Sequence, residues 1–176
     1  MPQDVSTLFL AYSRKKLLEQ YWPRMYGVVE PLTHEQIWWR PNEASNSIGN
    51  LLLHLNGNVY QWLVASFNRA QDERIRPAEF SERALIPASV LLKKLGATLD
   101  RASEVLSRLT AEELAAPMEV QGYHVTGLDA VYQVVEHFGL HYGQILYIAK
   151  MLTGADLNLF RELNAAGRSD SSAAHP

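Results

Sequence analysis

The chain has 176 residues, of which 47% are hydrophobic, so it holds enough apolar material for one core of ordinary size. Its formal net charge of -3 does not support the basic surface on which nucleic-acid binding depends. It contains no cysteine, which excludes disulfides, thiolate metal sites and catalysis through a thiol of its own.

The first predicted helix covers residues 7–25, where apolar and aromatic side chains recur at an imperfect helical spacing. Pro23 lies near its end and is expected to kink or terminate it. Residues 30–45 contain two prolines and an asparagine and are predicted to be mostly connector. Within them Thr33 and Gln36 have the spacing of a capping box, which predicts one short helical turn.

A second helix is predicted over residues 48–68, with an N-cap among residues 45–47. His54 and Asn58 border its apolar stripe, and Gln61 follows a turn later. Residues 69–86 are charged and interrupted by Pro77, so they are predicted to form an exposed loop.

A third helix is predicted from Pro87, which fits a first helical turn, to about residue 109. Thr110 and Glu113 then predict a second capping box and a short helical turn. Residues 117–123 are predicted to be a connector that could hold a short extended piece.

Thr126 is the predicted cap of the fourth helix, which runs to about residue 152 and is closed by Gly154. Four long amphipathic stretches without a series of strands predict an all-α fold, a helical bundle with long connectors. The bundle is expected to form one domain over residues 1–165. Residues 166–176 are small and polar and are predicted to be a disordered tail.

We expect a cytoplasmic protein with a small-molecule substrate and no nucleic-acid or membrane partner. Residues 1–16 lack the basic start and the long apolar run of a signal peptide. No uninterrupted apolar run approaches the ~20 residues that a helix needs to span a bilayer.

His137 and His141 stand four residues apart in the apolar fourth helix, a spacing that puts both on one helix face. Val134 and Phe138 share that face, so both imidazoles are expected to point toward the core. Four buried ring nitrogens then need partners, and each one left unpaired costs about 1–3 kcal/mol. The spacing leaves two hypotheses open: hydrogen-bonded core histidines, or a metal site.

His54 is the hypothetical third ligand, although a single histidine beside an apolar stripe is more often a hydrogen-bonded core residue. If the second and fourth helices pack face to face, three imidazoles converge and leave room for water or substrate. Asn58 and Gln144 lie a turn after His54 and His141 and could orient a ligand or bind substrate. The alternative is that both are partly exposed polar residues.

Three sequence blocks resemble the DinB-like superfamily, also described as YfiT-like metal-dependent hydrolases. The blocks are Trp39-Arg40-Pro41, residues 46–58 and residues 137–145, and the resemblance covers most of residues 5–153. It implies a four-helix bundle in an up-down-down-up arrangement. It also implies a divalent metal bound by three histidines, which map onto His54, His137 and His141, and it implies that dimers are frequent.

Characterised members of that superfamily include transferases that use low-molecular-weight thiols and a mycothiol-dependent isomerase. Many members have no established activity, so the resemblance narrows the fold more than the substrate. We expect a metal-dependent enzyme of the thiol-transferase or hydrolase type that forms a homodimer. Zinc, nickel and iron suit imidazole ligands, and a chain without cysteine would take its thiol from a small cosubstrate. The alternatives are a non-enzymatic metal-binding or stress-associated interaction protein, and a metal-free helical interaction module.

Overall fold

The computed structural model describes residues 4–157 and 159, and most of these residues are helical. Segment I consists of α1 (Val5–Lys15), a π-helical stretch (Lys16–Tyr21) and α2 (Trp22–Val29). It is followed by the short α3 (His34–Trp38). Segment II consists of α4 (Ile48–Val59), a second π-helical stretch (Tyr60–Ala65) and α5 (Ser66–Asn68). The predicted tail, residues 166–176, lies outside the described residues.

The second half of the chain contains two further long helices. The short α6 (Arg76–Ser81) precedes α7 (Ala88–Arg108), which is segment III. After α8 (Ala111–Ala115), an antiparallel hairpin is formed by β1 (Pro117–Val120) and β2 (Tyr123–Thr126). Segment IV is α9 (Gly127–Thr153). The all-α class is confirmed, and the predicted extended piece is this hairpin.

Four predicted helix starts are confirmed by their hydrogen bonds. Thr33, Ser47, Thr110 and Thr126 each accept a bond from the backbone N–H of the third helical residue, whose side chain bonds back to the cap. These reciprocal bonds satisfy backbone donors that a helix leaves unpaired at its start. Segment IV ends as predicted at Gly154, whose φ of 64° is open to glycine at no steric cost.

Of the two effects predicted for Pro23, a kink or a termination of the first helix, termination does not occur. In the preceding π-helical stretch, the N–H of Trp22 bonds to the carbonyl of Leu17, five residues back. Pro23 then occupies the first turn of α2, where its missing N–H costs nothing. The helical segment therefore continues to Val29.

The buried apolar side chains of all four segments form one core. Segments II and III run in the same direction, and segment III runs opposite to segment I. The contact pairs that show this are Asn56–Thr98 and Asn68–Arg108 for II and III, and Arg14–Ser103 and Trp22–Gly96 for I and III. Among the described residues, no helix combines the length and the apolar character needed to cross a membrane.

The parallel direction of segments II and III determines the path of the connector between them. Segment II has 21 residues and is therefore about 31 Å long, so the chain must travel back over that distance before segment III begins. Consecutive parallel segments are also what an up-down-down-up arrangement requires. The connector, residues 69–87, makes this return along segment II.

The same residues correct the prediction of an exposed loop over 69–86. They contain α6, and the side chains of Arg74 and Glu79 are only 4% and 11% exposed. Buried Asn50 donates from Nδ2 to the backbone carbonyl of Glu79 at 2.9 Å and so attaches α6 to α4. The charged composition suggested solvent exposure, but two of these charges pair with each other against segment II.

Candidate metal centre

Three imidazoles from two helical segments meet at the edge of the core. His54 extends from segment II, and its Nε2 atom lies 2.8 Å from Nε2 of His137 on segment IV. The ring centroid of His141 lies 4.4 Å from that of His137 and 5.0 Å from that of His54. One ring nitrogen of each histidine lies within 4.8 Å of the other two. The fold therefore brings together the three predicted residues.

The packing of segment IV decides where its two histidines point. Val134 and Phe138 are fully buried, and the Phe138 ring stacks on Tyr21 with centroids 6.0 Å apart. His137 and His141 stand at the border of this buried stripe and are half-buried, whereas the sequence led us to expect imidazoles that point into the core. Their position at the border leaves the ring nitrogens within reach of a ligand from solvent.

The Nε2 atoms of His54 and His137 lie 2.8 Å apart, a distance at which two lone pairs would repel each other. A proton or a cation must therefore lie between the two nitrogen atoms. His54 Nδ1 lies 2.8 Å from Oε2 of Glu79, which favours a proton on Nδ1 and leaves Nε2 as an acceptor. In the metal-free protein His137 then donates its Nε2 proton to His54. A cation bound by both nitrogens would take the place of that proton.

Two of the three imidazole rings are hydrogen-bonded through Nδ1, the nitrogen that faces away from the cluster. Glu79 accepts from His54 Nδ1 and receives two bonds from Arg74, at 2.7 and 2.9 Å. Gln144 places its Oε1 atom 2.7 Å from Nδ1 of His141, as the predicted orienting role requires. Bonds of this kind fix the tautomer and the angle of a ligating imidazole, and they leave Nε2 for a metal.

Both histidines of segment IV have pKa values below the ordinary value. Burial, followed by repulsion from the neighbouring histidines and from Arg74 and Arg76, lowers the pKa of His137 to about 4. Burial also lowers the pKa of His141, against the opposing effect of its bond to Gln144. Both imidazoles are therefore neutral near pH 7, which is the form that binds a metal.

Glu79 remains ionised although it is largely buried. Burial by itself would raise the pKa of this carboxyl group, but hydrogen bonds from Arg74 and His54 outweigh it, and the net pKa is lowered. The cluster thus contains one carboxylate whose charge is neutralised by Arg74. It can accept a hydrogen bond from Nδ1–H of His54.

An open cleft of about 890 Å³ lies over His54 and His137. Its walls include the aromatic side chains Trp62, Tyr123 and Tyr132, which come from segment II, the hairpin and segment IV. This volume is in the range of small-molecule sites. The histidine cluster is therefore accessible to a ligand of that size.

Two amide side chains border the cleft without using all of their oxygen acceptors. Asn58, the predicted neighbour of His54, is 4% exposed, and its Oδ1 atom has no hydrogen-bond partner among the described residues. The same holds for Oε1 of Gln133, which the sequence analysis did not select. A buried acceptor without a partner costs about 1–3 kcal/mol. The polar set beside the imidazoles therefore fits a centre that is completed by a hydrated cation or a ligand.

The remaining described histidines lie away from this cluster. His124 stands on β2 and is exposed, and His34 begins α3 and is half-buried. Neither belongs to the group of histidines whose ring nitrogens lie within 4.8 Å of one another.

Arg74 and Glu79, like Gln133, are site residues that the sequence pattern does not predict. The connector that carries the first two lies on one face of segment II, which presents Asn50, His54 and Gln61 to it. These three residues have spacings of four and seven, so they share a face of the helix. A polar ridge beside an apolar stripe is a sequence signal that something polar packs there, but it does not identify the partner.

Comparison with known proteins agrees with the fold and the resemblance. The family model of the DinB superfamily matches residues 17–145, a stretch that includes all three histidines. A solved structure, described as a conserved protein from Enterococcus faecalis, is similar with a TM-score of 0.70 and 16% sequence identity. The similarity covers 88% of this chain and 100% of that protein, and at this identity it shows the fold alone. No curated protein matches the sequence significantly.

Proposed function

We propose that this chain, which belongs to the DinB superfamily, is a divalent-metal-binding enzyme of the thiol-transferase or hydrolase type. His54, His137 and His141 would hold the metal. The observation that carries the proposal is the convergence of three imidazoles, with one nitrogen of each within 4.8 Å of the others, beside an open cleft.

The residues fit such a cation in number and in chemistry. Three neutral imidazoles are a common ligand set for zinc, nickel or iron, and they add no negative charge to the site. When bound, the cation supplies Lewis acidity that favours hydroxide over water and thiolate over thiol. Gln144 and Glu79 orient two of the ligating rings, and the cleft admits the substrate beside them.

A thiol reaction would need a small cosubstrate, because the chain has no cysteine. The cleft volume of about 890 Å³ is large enough for a low-molecular-weight thiol and an electrophile together. In a transfer reaction the sulfur forms a bond to the electrophile and the leaving group departs. In a hydrolytic reaction water takes the place of the thiol.

The alternative function is a non-enzymatic metal-binding or stress-associated interaction protein. Structural metal sites are normally closed by four protein ligands, whereas catalytic sites keep a position open for water or substrate. Three histidine ligands beside a cleft favour the catalytic alternative.

The test is turnover with and without metal. N-acetylcysteine with 1-chloro-2,4-dinitrobenzene would report thiol transfer with release of chloride, and 4-nitrophenyl acetate would report hydrolysis. We expect turnover that is lost on chelation, regained on adding zinc, nickel or ferrous iron, and absent from His137→Ala. The matched control is His34→Ala, which removes a histidine outside the cluster and should remain active.

Two outcomes would count against an enzyme of this type. Equal turnover before and after complete metal removal would contradict metal dependence. Tight metal binding without turnover of either probe class would favour the non-enzymatic alternative.

A further inference from the structure

We infer that Glu79 is a positioning residue, which holds His54 in the tautomer that presents Nε2 to the other two histidines. This inference concerns the chain itself, and its use in metal binding rests on the proposed function. Its basis is one contact: Oε2 of Glu79 lies 2.8 Å from Nδ1 of His54. A carboxylate can only accept, so the proton of this bond belongs to Nδ1.

Arg74 offers a second possible hydrogen-bond partner to Nδ1 of His54. Its Nη2 atom lies 3.2 Å from the same Nδ1 atom, and a bond from it would place the imidazole proton on Nε2 instead. The carboxylate contact is shorter, and Nη2 also donates to Oε2 of Glu79 at 2.9 Å. Glu79 is therefore the nearer partner of Nδ1, and the Arg74 guanidinium is engaged by the Glu79 carboxylate.

The connector is attached to segment II on both sides of His54. Before it, Nδ2 of Asn50 bonds to the carbonyl of Glu79; after it, Oε1 of Gln61 accepts from Arg74 at 2.8 Å. The Phe80 ring also packs on the His54 ring, with centroids 4.7 Å apart. Because these contacts extend over three turns of the helix, Glu79 has little freedom to leave Nδ1.

Gly57 is the residue that allows this close attachment. It lies one turn after His54 on the same face, and a Cβ atom there would stand 2.7 Å from Nε of Arg74 and still closer to Oε1 of Glu79. Glycine in the interior of a helix is less stabilising than alanine, because it loses more backbone freedom on folding. The close approach of the ion pair explains why glycine is nevertheless suited to this position.

Metal affinity should depend on this arrangement. Outer hydrogen-bond partners of ligating histidines typically change metal affinity by 10–100-fold when they are removed. We expect an effect of that size for Glu79→Leu, which replaces the acceptor by an apolar side chain without a hydrogen-bonding group. Glu79→Gln keeps a carbonyl acceptor for the Nδ1 proton, so it should retain the tautomer and lose less affinity.

The experiment reads the tautomer directly in the metal-free protein. Long-range ¹H–¹⁵N NMR of the imidazoles distinguishes a proton on Nδ1 from one on Nε2. We expect Nδ1–H for His54 in the wild type and in Glu79→Gln. In Glu79→Leu the guanidinium of Arg74 becomes the partner of Nδ1, and the proton should move to Nε2. Glu73→Leu, an exposed change in the same connector, is the matched control.

Competition with a chelator then gives the zinc dissociation constant for the same proteins. Gly57→Ala should weaken zinc binding about 10-fold or more, whereas Gly27→Ala, where a Cβ meets no atom within 4 Å, should not. An Nε2–H tautomer of His54 in the wild type would overturn the inference. So would an unchanged tautomer and zinc affinity in Glu79→Leu, with thermal melting showing that it is folded.

The two proposals can fail separately. A wild type that shows the Nδ1–H tautomer, with the predicted change in Glu79→Leu, but binds no metal would support the positioning role and contradict the proposed function. A wild type that binds zinc with the same affinity and tautomer as folded Glu79→Leu would overturn the positioning role alone.

Discussion

His137 links the site to the stability of the fold through its protonation. Its pKa is lowered to about 4 from 6.5, chiefly by burial, so between these values the unfolded chain binds a proton that the folded chain does not. The stability it contributes is present above pH 6.5 and is lost as the pH falls toward 4. His141 acts in the same direction, since its pKa is also lowered.

The metal-free protein should therefore lose stability between pH 7 and pH 5. We expect a loss on the order of 1–2 kcal/mol, after allowing for solvent screening of half-buried groups. Urea unfolding at the two pH values measures it. In His137→Gln the pH dependence should be weaker. Equal or greater stability of the wild type at pH 5 would contradict the burial of neutral imidazoles.

At the residue scale, the sequence selected the three histidines and Gln144, but it did not select Glu79, the partner of His54. The spacing of His137 and His141 is a local pattern that selects this pair, whereas His54 enters as a hypothetical third ligand and through the family resemblance. The contact with Glu79 joins residues 25 positions apart. This contact forms because the connector returns along segment II, and no local sequence pattern predicts that path.

At the scale of elements, the predicted helix caps are confirmed, whereas the predicted exposed loop is wrong. The four capping boxes are formed by residues three positions apart, so their chemistry is visible in the sequence. Residues 69–86 were assigned to an exposed loop because charged residues usually remain in water. Here Arg74 and Glu79 are buried as a pair, and composition alone does not reveal pairing.

The connector should detach from segment II when Asn50 is replaced. Asn50 is 1% exposed, and its Nδ2 atom donates to the carbonyl of Glu79, with longer bonds to two further carbonyls of the connector. Asn50→Ala leaves these groups without their partner, at a cost of about 1–3 kcal/mol. We expect faster amide hydrogen exchange across residues 69–86.

Asn42→Ala is the control for this change, because Asn42 is exposed and its hydrogen bonds within the described part of the chain lie in its own turn. Its exchange pattern over residues 69–86 should match that of the wild type. Unchanged protection of the connector in Asn50→Ala would show that other contacts hold it in place.

At the scale of the whole molecule, segment IV presents an apolar stripe to solvent. Large side chains that are 45–68% exposed recur along it at spacings of four, eight, seven and four: Leu128, Tyr132, Leu140, Tyr147 and Met151. These spacings keep the residues on one side of the helix, and exposed Glu136 and Lys150 lie among them. A stripe of this length on a surface is typical of an interaction site, and a second copy of the chain would cover it.

We therefore expect a homodimer in which this stripe is buried. Tyr147→Glu should shift the protein toward the monomer, since it adds a charge at the most exposed of these apolar positions. Light scattering after size-exclusion chromatography measures the mass. Val90→Glu, an exposed apolar position on segment III, should leave the mass unchanged. A wild type that is monomeric at high concentration would contradict the interface.

The helical class and the positions of the four long segments followed from periodicity and capping. The relative direction of the segments does not follow from periodicity, because an apolar stripe does not show which way its helix runs in the bundle. The up-down-down-up arrangement is implied by the family resemblance alone. Segments II and III are parallel, and this makes the connector travel back past His54. Arg74 and Glu79 therefore reach His54 because of the topology, which the sequence pattern does not show.

The most direct test of the account is the metal content of tag-free protein, measured by mass spectrometry beside the double variant His137→Ala/His141→Ala. We predict close to one divalent metal ion per wild-type chain, and loss of that metal in a double variant that remains helical. A well-folded wild type that carries no metal and takes up neither zinc, nickel nor iron on titration would contradict it.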